Sequence, residues 1–180
     1  MMEGRVAVLN VSVLVRDSKR RTLLQFRDAF APVFALRWGL WGGRLSTSDE
    51  TPAHGAAREI REELELDATP EDFSLLDVRT STKGDSCLLL FRHAVEWGDF
   101  RVREGAGAAY FWRSEIVRLP LAKPVEAHLV TAPELFGEAP ALRRAGIGTA
   151  PGGQAPAPAG IATLPGPLQM SWEKDKLRET

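Results

Sequence analysis

Between residues 6 and 16 the chain alternates. Ala7, Leu9, Val11, Val13 and Val15 give one face that is apolar throughout, the period-2 pattern of a strand turned to a core. The opposite face runs Val6, Val8, Asn10, Ser12 and Leu14, with two polar residues in its middle. Two readings of Asn10 and Ser12 are open: a partly solvated strand surface, or side chains that face a substrate cleft. A polar turn at 17–21 leads to a second strand at 22–27, and a short segment at 36–40 precedes Gly42-Gly43. The period then changes. Ala53, Ala57, Ile60 and Leu64 are spaced 4-3-4, one apolar stripe of a helix. Thr51 followed by Pro52 supplies its start, an N-cap hydroxyl and a proline at the first helical position. Strands return at 72–80 and 86–95, joined by the polar turn Thr82-Lys83-Gly84-Asp85. A last strand at 107–113 follows the charged loop Arg101-Val102-Arg103-Glu104-Gly105, and short helices are predicted at 114–117 and within 124–136. Strands on both sides of a helix, with further helices behind them, predict an α/β fold with a mixed sheet covered by helices.

Composition divides the chain. Residues 1–137 suffice for one domain with a good core, whereas 138–180 is rich in Ala, Gly and Pro and lacks periodicity. A segment of that kind cannot bury enough surface to offset its ordering entropy, so a flexible C-terminal tail is expected. The net charge of −1 gives no general electrostatic case for nucleic acid or an anionic membrane. The apolar start lacks a basic leader and a small-residue cleavage site, and no run reaches transmembrane length, so a cytoplasmic protein is expected. Cys87, the sole cysteine, opens the apolar run Cys87-Leu88-Leu89-Leu90-Phe91 and reads as a buried structural thiol.

Chemistry concentrates in Arg58-Glu59-Ile60-Arg61-Glu62-Glu63. On a helix, Glu59, Glu62 and Glu63 stand at i, i+3 and i+4 and share one face. Like charges so placed repel by roughly a few tenths of a kcal/mol per pair unless a cation stands among them. A divalent metal is one candidate, since Mg2+ takes hard oxygen ligands and is shared between carboxylates and phosphates. The plainer reading is a solvated face answered by nearby arginines. The acids lie beside the buried stripe rather than opposite it, which suits a helix on the wall of a cleft.

Glu50, seven residues, and then Arg58-Glu59-Ile60-Arg61-Glu62-Glu63, with Gly43 ahead and Leu66 closing the pattern, resemble the signature of the Nudix hydrolases. The stretches Leu23-Leu24-Gln25-Phe26-Arg27 and Trp38-Gly39-Leu40-Trp41-Gly42-Gly43 resemble the region ahead of that signature, and the likeness covers roughly residues 6–136. Three positions depart from the family pattern. Six residues rather than five separate Gly43 from Glu50, Glu65 stands where glycine is usual, and Trp41 where proline is frequent.

The resemblance implies a Nudix-type α/β/α sandwich with a mixed central sheet. It implies Mg2+-dependent hydrolysis, with Mn2+ as a substitute ion, of the phosphoanhydride in a nucleoside diphosphate linked to another group. Glu59, Glu62 and Glu63 would be metal ligands, joined by Glu50 and the Gly43 carbonyl, and one of the acids would activate water. Arg58 would hold the carboxylates, Arg27 would reach substrate phosphate, and Glu104 would supply a base or an extra ligand from a distant loop. Asn10 and Ser12 would then face the substrate. The implied partner is a small-molecule nucleotide, with a homodimer as the implied assembly. Two other outcomes carry the same fold: a catalytically weak nucleotide-binding sensor or scaffold, and an isomerase of isoprenoid diphosphates, for which Cys87 is a poor fit. Trp38 and Trp41 either stack on a nucleobase or pack in the core. His54, His93 and His128 show no metal-ligand spacing.

Overall fold

The structure is a computed structural model in which residues 8–47, 50–81 and 84–140 are described. Strand positions 6 and 7, Ser48 and Asp49 of the loop before Glu50, Thr82 and Lys83 of the predicted turn, and the expected tail from 141 onward lie outside the described residues.

Among the described residues six strands form one sheet: β1 (Val8–Arg16), β2 (Thr22–Phe26), β3 (Trp38–Gly39), β4 (Phe73–Arg79), β5 (Asp85–Ala94) and β6 (Gly107–Phe111). Their order is β3-β2-β1-β5-β4, with β6 on β2. β1 and β5 run parallel and the remaining pairs antiparallel, so the sheet is mixed as predicted. The alternation along β1 sorts its side chains between two cores. Val11, Val13 and Val15 join Leu23, Leu89 and Phe91 beneath α1 (Pro52–Leu64). Leu14 joins Leu24, Leu88, Ile116 and Val125 beneath α2 (Arg113–Ile116) and α3 (Lys123–Thr131). Helices on both faces make an α/β/α sandwich.

α1 starts where its sequence signal lies. The Thr51 side chain accepts from His54 N at 3.3 Å, and Pro52 opens the helix. Ala56, Ala57, Ile60 and Leu64 are buried, and each of the two larger side chains stabilises the packing by about 1.5–3 kcal/mol. Glu59 and Glu63 are buried with them, so the acidic face adjoins the apolar stripe. The helix ends on Glu65 in a left-handed conformation (φ 53°, ψ 24°), the backbone role that glycine usually fills.

The last strand ends at Phe111, two residues earlier than predicted. β2 offers no partner beyond Thr22↔Phe111, and the Glu115 carboxylate captures Trp112 N at 2.7 Å to begin α2. Phe136 is buried in the second core, Gly137 O accepts from Arg113 N at 2.8 Å, and Arg113 pairs with Glu138. Domain contacts therefore run through Glu138. Among the described residues no helix is long and apolar enough to cross a membrane.

Candidate functional site

β1 and β2 pair only at Val15↔Leu23 and Arg16↔Thr22 and then diverge. The chain from 38 to 44 fills the gap. Trp38–Gly39 pairs with β2, while Val13 N donates to Trp41 O at 2.8 Å and Val11 N to Gly43 O at 2.9 Å. Trp41 closes the wedge: it is fully buried and its indole donates to Leu23 O at 3.0 Å. Gly42 adopts φ 114°, with the Val11 carbonyl where a side chain would stand. A Cβ on Gly43 would lie 2.7 Å from Glu59 Oε1. The two glycines thus form a bare backbone ridge against which the α1 carboxylates lie.

On the α1 side of the ridge one guanidinium ties three acids. Arg58 Nε donates to Glu50 Oε1 at 3.0 Å, and Nη1 to Glu59 Oε1 at 2.7 Å and Glu62 Oε2 at 3.2 Å. Its Nη2 reaches Arg44 O at 3.0 Å and Glu50 Oε2 at 3.4 Å. The hydrogen bond from Arg58, and one from Ser46 N at 2.6 Å, hold Glu50 below the usual carboxylate range. Both oxygens of Glu50, an expected metal ligand, are therefore engaged in shaping the loop. Glu63 accepts from Gly42 N at 2.7 Å and faces the Gln25 amide at 3.4 Å. Burial, with Glu104 and Glu59 as like charges, pushes its carboxyl up to about 8. Burial also raises Glu59, against the pull of Arg58, with Glu62 and Glu104 adding repulsion. Glu104 thus shares one electrostatic space with the helix acids although it comes from a distant loop. Glu62 is exposed.

A divalent cation fits this chemistry. Glu59, Glu62, Glu63 and Glu104 are hard oxygen donors, and Glu59 and Glu63 are raised first by burial and then by the neighbouring acids, with Arg58 opposing the rise at Glu59. The Gly43 carbonyl keeps a lone pair beyond its bond to Val11. Among the described residues no three side chains close into a ligand set by themselves. Mg2+ ordinarily completes its shell with water and substrate phosphate, so an open set suits it.

On the other side of the ridge lies a cleft of about 1050 Å³. Asn10, Ser12 and Arg27 line it, as do Gly42, Gly43 and Arg44. Asn10 stands opposite Ser86 on β5, which stands opposite Arg79 on β4, a polar row across three strands. α3 contributes Lys123 and the buried His128. The charged residues of this lining, Arg27, Arg44, Arg79 and Lys123, are all basic. Phe34 is the cleft's aromatic residue. Neither Trp38 nor Trp41 lines it; Trp38 packs between Phe26 and Phe111. Cys87 is buried, and burial raises its thiol. Arg79, Ser86, Lys123 and Phe34 carried no sequence signal, because register and tertiary packing bring them together. Gln25 carried one: a lone amide in the run Leu23-Leu24-Gln25-Phe26.

A sequence model described as the NUDIX domain matches residues 7–129, well over half of the chain. No curated protein matches. Among solved structures, a MutT protein from work on Aliivibrio salmonicida and Vibrio cholerae aligns at 15% identity and TM-score 0.57, covering 71% of this chain and 95% of that one. The MutT NUDIX hydrolase of Burkholderia pseudomallei aligns at 24% identity and TM-score 0.54, covering 70% and 97%. A bifunctional NMN adenylyltransferase/ADP ribose pyrophosphatase of Francisella tularensis, complexed with AMP and a manganese ion, aligns at 20% identity and TM-score 0.52, covering 74% and 43%. These likenesses carry the fold, and the domain match carries the family. The chain belongs to the Nudix hydrolase family.

Proposed function

We propose that this protein is a Mg2+-dependent pyrophosphohydrolase that cleaves the phosphoanhydride of a nucleoside diphosphate linked to another group. The observation that carries the reading is the meeting, at one glycine ridge, of four crowded carboxylates and a cleft whose charged lining is basic. Glu59, Glu62 and Glu63 hold the ion, with the Gly43 carbonyl and Glu104 as further donors. When bound, the ion polarises phosphoryl oxygen and lowers the pKa of a coordinated water. Arg27, Arg44 and Lys123 hold phosphate oxygens, and Asn10 and Ser12 hydrogen-bond the substrate from the floor. Arg58 keeps Glu50, Glu59 and Glu62 in place, a task for which its planar fork is suited. Mn2+ is the natural substitute ion, as the manganese complex of the Francisella protein illustrates.

One observation favours the alternative of a catalytically weak Nudix-fold sensor: Arg58 rests directly on oxygens of Glu59 and Glu62. Incubation with Mg2+ and a panel of nucleoside diphosphate derivatives, with release of phosphate or nucleotide measured, decides between them. Turnover of a panel member that stops on chelation is the expected result. Tight nucleotide binding without turnover would establish the sensor instead.

A further inference from the structure

Gln25 is 1% exposed and sits on β2 between two apolar neighbours, Leu24 and Phe26. A buried amide is costly unless its groups are hydrogen-bonded, so a leucine would serve packing better here. The surroundings of this amide are polarised. Its Nε2 donates to Glu63 Oε1 at 3.4 Å and to the Glu104 carbonyl at 3.2 Å, while its Oε1 accepts from Arg27 Nη1 at 3.4 Å. Acceptors meet the NH2 end and a donor meets the oxygen, which sets the orientation of the amide. The three partners come from α1, from the loop at 101–106 and from the residue just after β2.

The loop is built to close on this side chain. Ala106 N donates to Phe26 O at 2.7 Å and Arg103 N to Glu63 O at 2.8 Å, clamping the loop to β2 and α1. Gly105 adopts φ 82°, and a Cβ there would lie 2.7 Å from Phe26 O and 3.0 Å from Gln25 Cγ. The loop acid is thereby carried to the helix acids over the Gln25 amide. Neither obvious replacement can do this. Glutamate has the same shape but turns an acceptor toward Glu63 and the Glu104 carbonyl, and methionine has the length without the donor.

We propose that Gln25 is a positioning residue that fixes the loop acid Glu104 and the cleft arginine Arg27 in register with Glu63. The proposal rests on the hydrolase reading above, and its test separates the two. Gln25→Met, Glu104→Gln and the double variant are compared in the full chain for kcat and KM with Mg2+, using the best substrate of the nucleotide panel. Amide hydrogen exchange is followed in parallel on the metal-free, substrate-free proteins. Gln25→Met is expected to lower kcat about tenfold, the usual scale for a residue that orients a ligand or base. The double variant should lose little more kcat than Glu104→Gln alone, because Gln25 acts through that acid. KM should rise with Gln25→Met in both backgrounds through Arg27. Exchange at the Arg103 and Ala106 amides should quicken while the β2–β6 ladder holds. Full multiplication of the two kcat losses, or unchanged exchange in the loop, would overturn the proposal. Gln25→Leu, matching Leu23 and Leu24 in kind, goes through the same measurements should the methionine variant fold poorly. If the wild type turns over no nucleotide, the hydrolase reading falls, and exchange alone decides whether Gln25 holds the loop.

Discussion

The two sides of the Gly42-Gly43 ridge are assembled by different means. On one side, Arg58, Glu59, Glu62 and Glu63 come from six consecutive residues of a single helix, and Glu50 reaches the same arginine from just before the helix starts. Helical period alone sets their spacing. On the other side, Asn10, Arg27, Ser86, Arg79 and Lys123 come from separate strands, a loop and a late helix, brought together by register across β1, β5 and β4 and by the seating of α3. The electrostatics differ in the same way. On the helix side burial, and then the neighbouring acids Glu104 and Glu59, push Glu63 up to about 8, while the cleft presents cations over a polar floor. Under the proposed function, a local device carries the reaction and a tertiary one carries recognition. Loops and registers can change around such a helix without moving its acids, which is how one fold serves many substrates.

The sharpest way to break that division is to exchange one group on each side. Glu62→Gln and Glu63→Gln should each lower kcat by about 100-fold or more, the scale for losing a group that activates water or holds the ion, with circular dichroism unchanged. Arg27→Ala should act mainly on KM, raising it by about tenfold for one lost charge-assisted hydrogen bond. Steady-state kinetics on one substrate checks both. If Arg27→Ala proved the larger kcat defect, cleft and helix could not be assigned separate work.

A second test uses protons in place of substrate. In the unfolded chain Glu63 titrates near 4.5, and in the metal-free fold near 8, the rise caused first by burial and then by Glu104 and Glu59. Between those values the folded state keeps a proton that the unfolded state has released, so this residue makes stability fall as pH rises. Glu63→Gln mimics the protonated form and does not titrate. The variant's urea midpoint in chelator should therefore climb relative to wild type from pH 5 to 8 and level off above. An offset that stays constant with pH would show that neither burial nor the neighbouring acids perturb Glu63 in the fold.

The same division explains what could be read from the chain. The strand faces of β1, the N-cap at Thr51, the stripe of α1 and the acids beside it are periodic and local, and all are visible in sequence. Asn10 and Ser12 fit either a solvated surface or a cleft, because a strand's polar face does not announce what covers it; both line the cleft. Trp41 has two chemically plausible uses, and only the divergence of β1 from β2 assigns it to the core. The row Asn10–Ser86–Arg79 exists only in the registers of three strands, and no spacing in the sequence encodes it.

The smallest effect is expected at the end of the acidic helix, where Glu65 occupies the usual glycine position. A non-glycine residue in the left-handed region costs about 1 kcal/mol, while a partly exposed ion pair contributes between about 0 and 1 kcal/mol. Glu65 has both: φ 53° at the C-cap, a pairing with Arg103, and Arg101 Nε at 3.9 Å. The glutamate thus trades backbone comfort for a hold on the loop that presents Glu104. Glu65→Gly should change stability by no more than about 0.5 kcal/mol, the two terms nearly cancelling. Glu65→Ala keeps the strain and loses the pairing, so it should fall about 1 kcal/mol below Glu65→Gly. Urea melts of the three proteins measure that gap directly. If alanine and glycine were equally stable, the left-handed cap would carry no cost, and the departure from glycine at this position would need no compensation from the loop arginines.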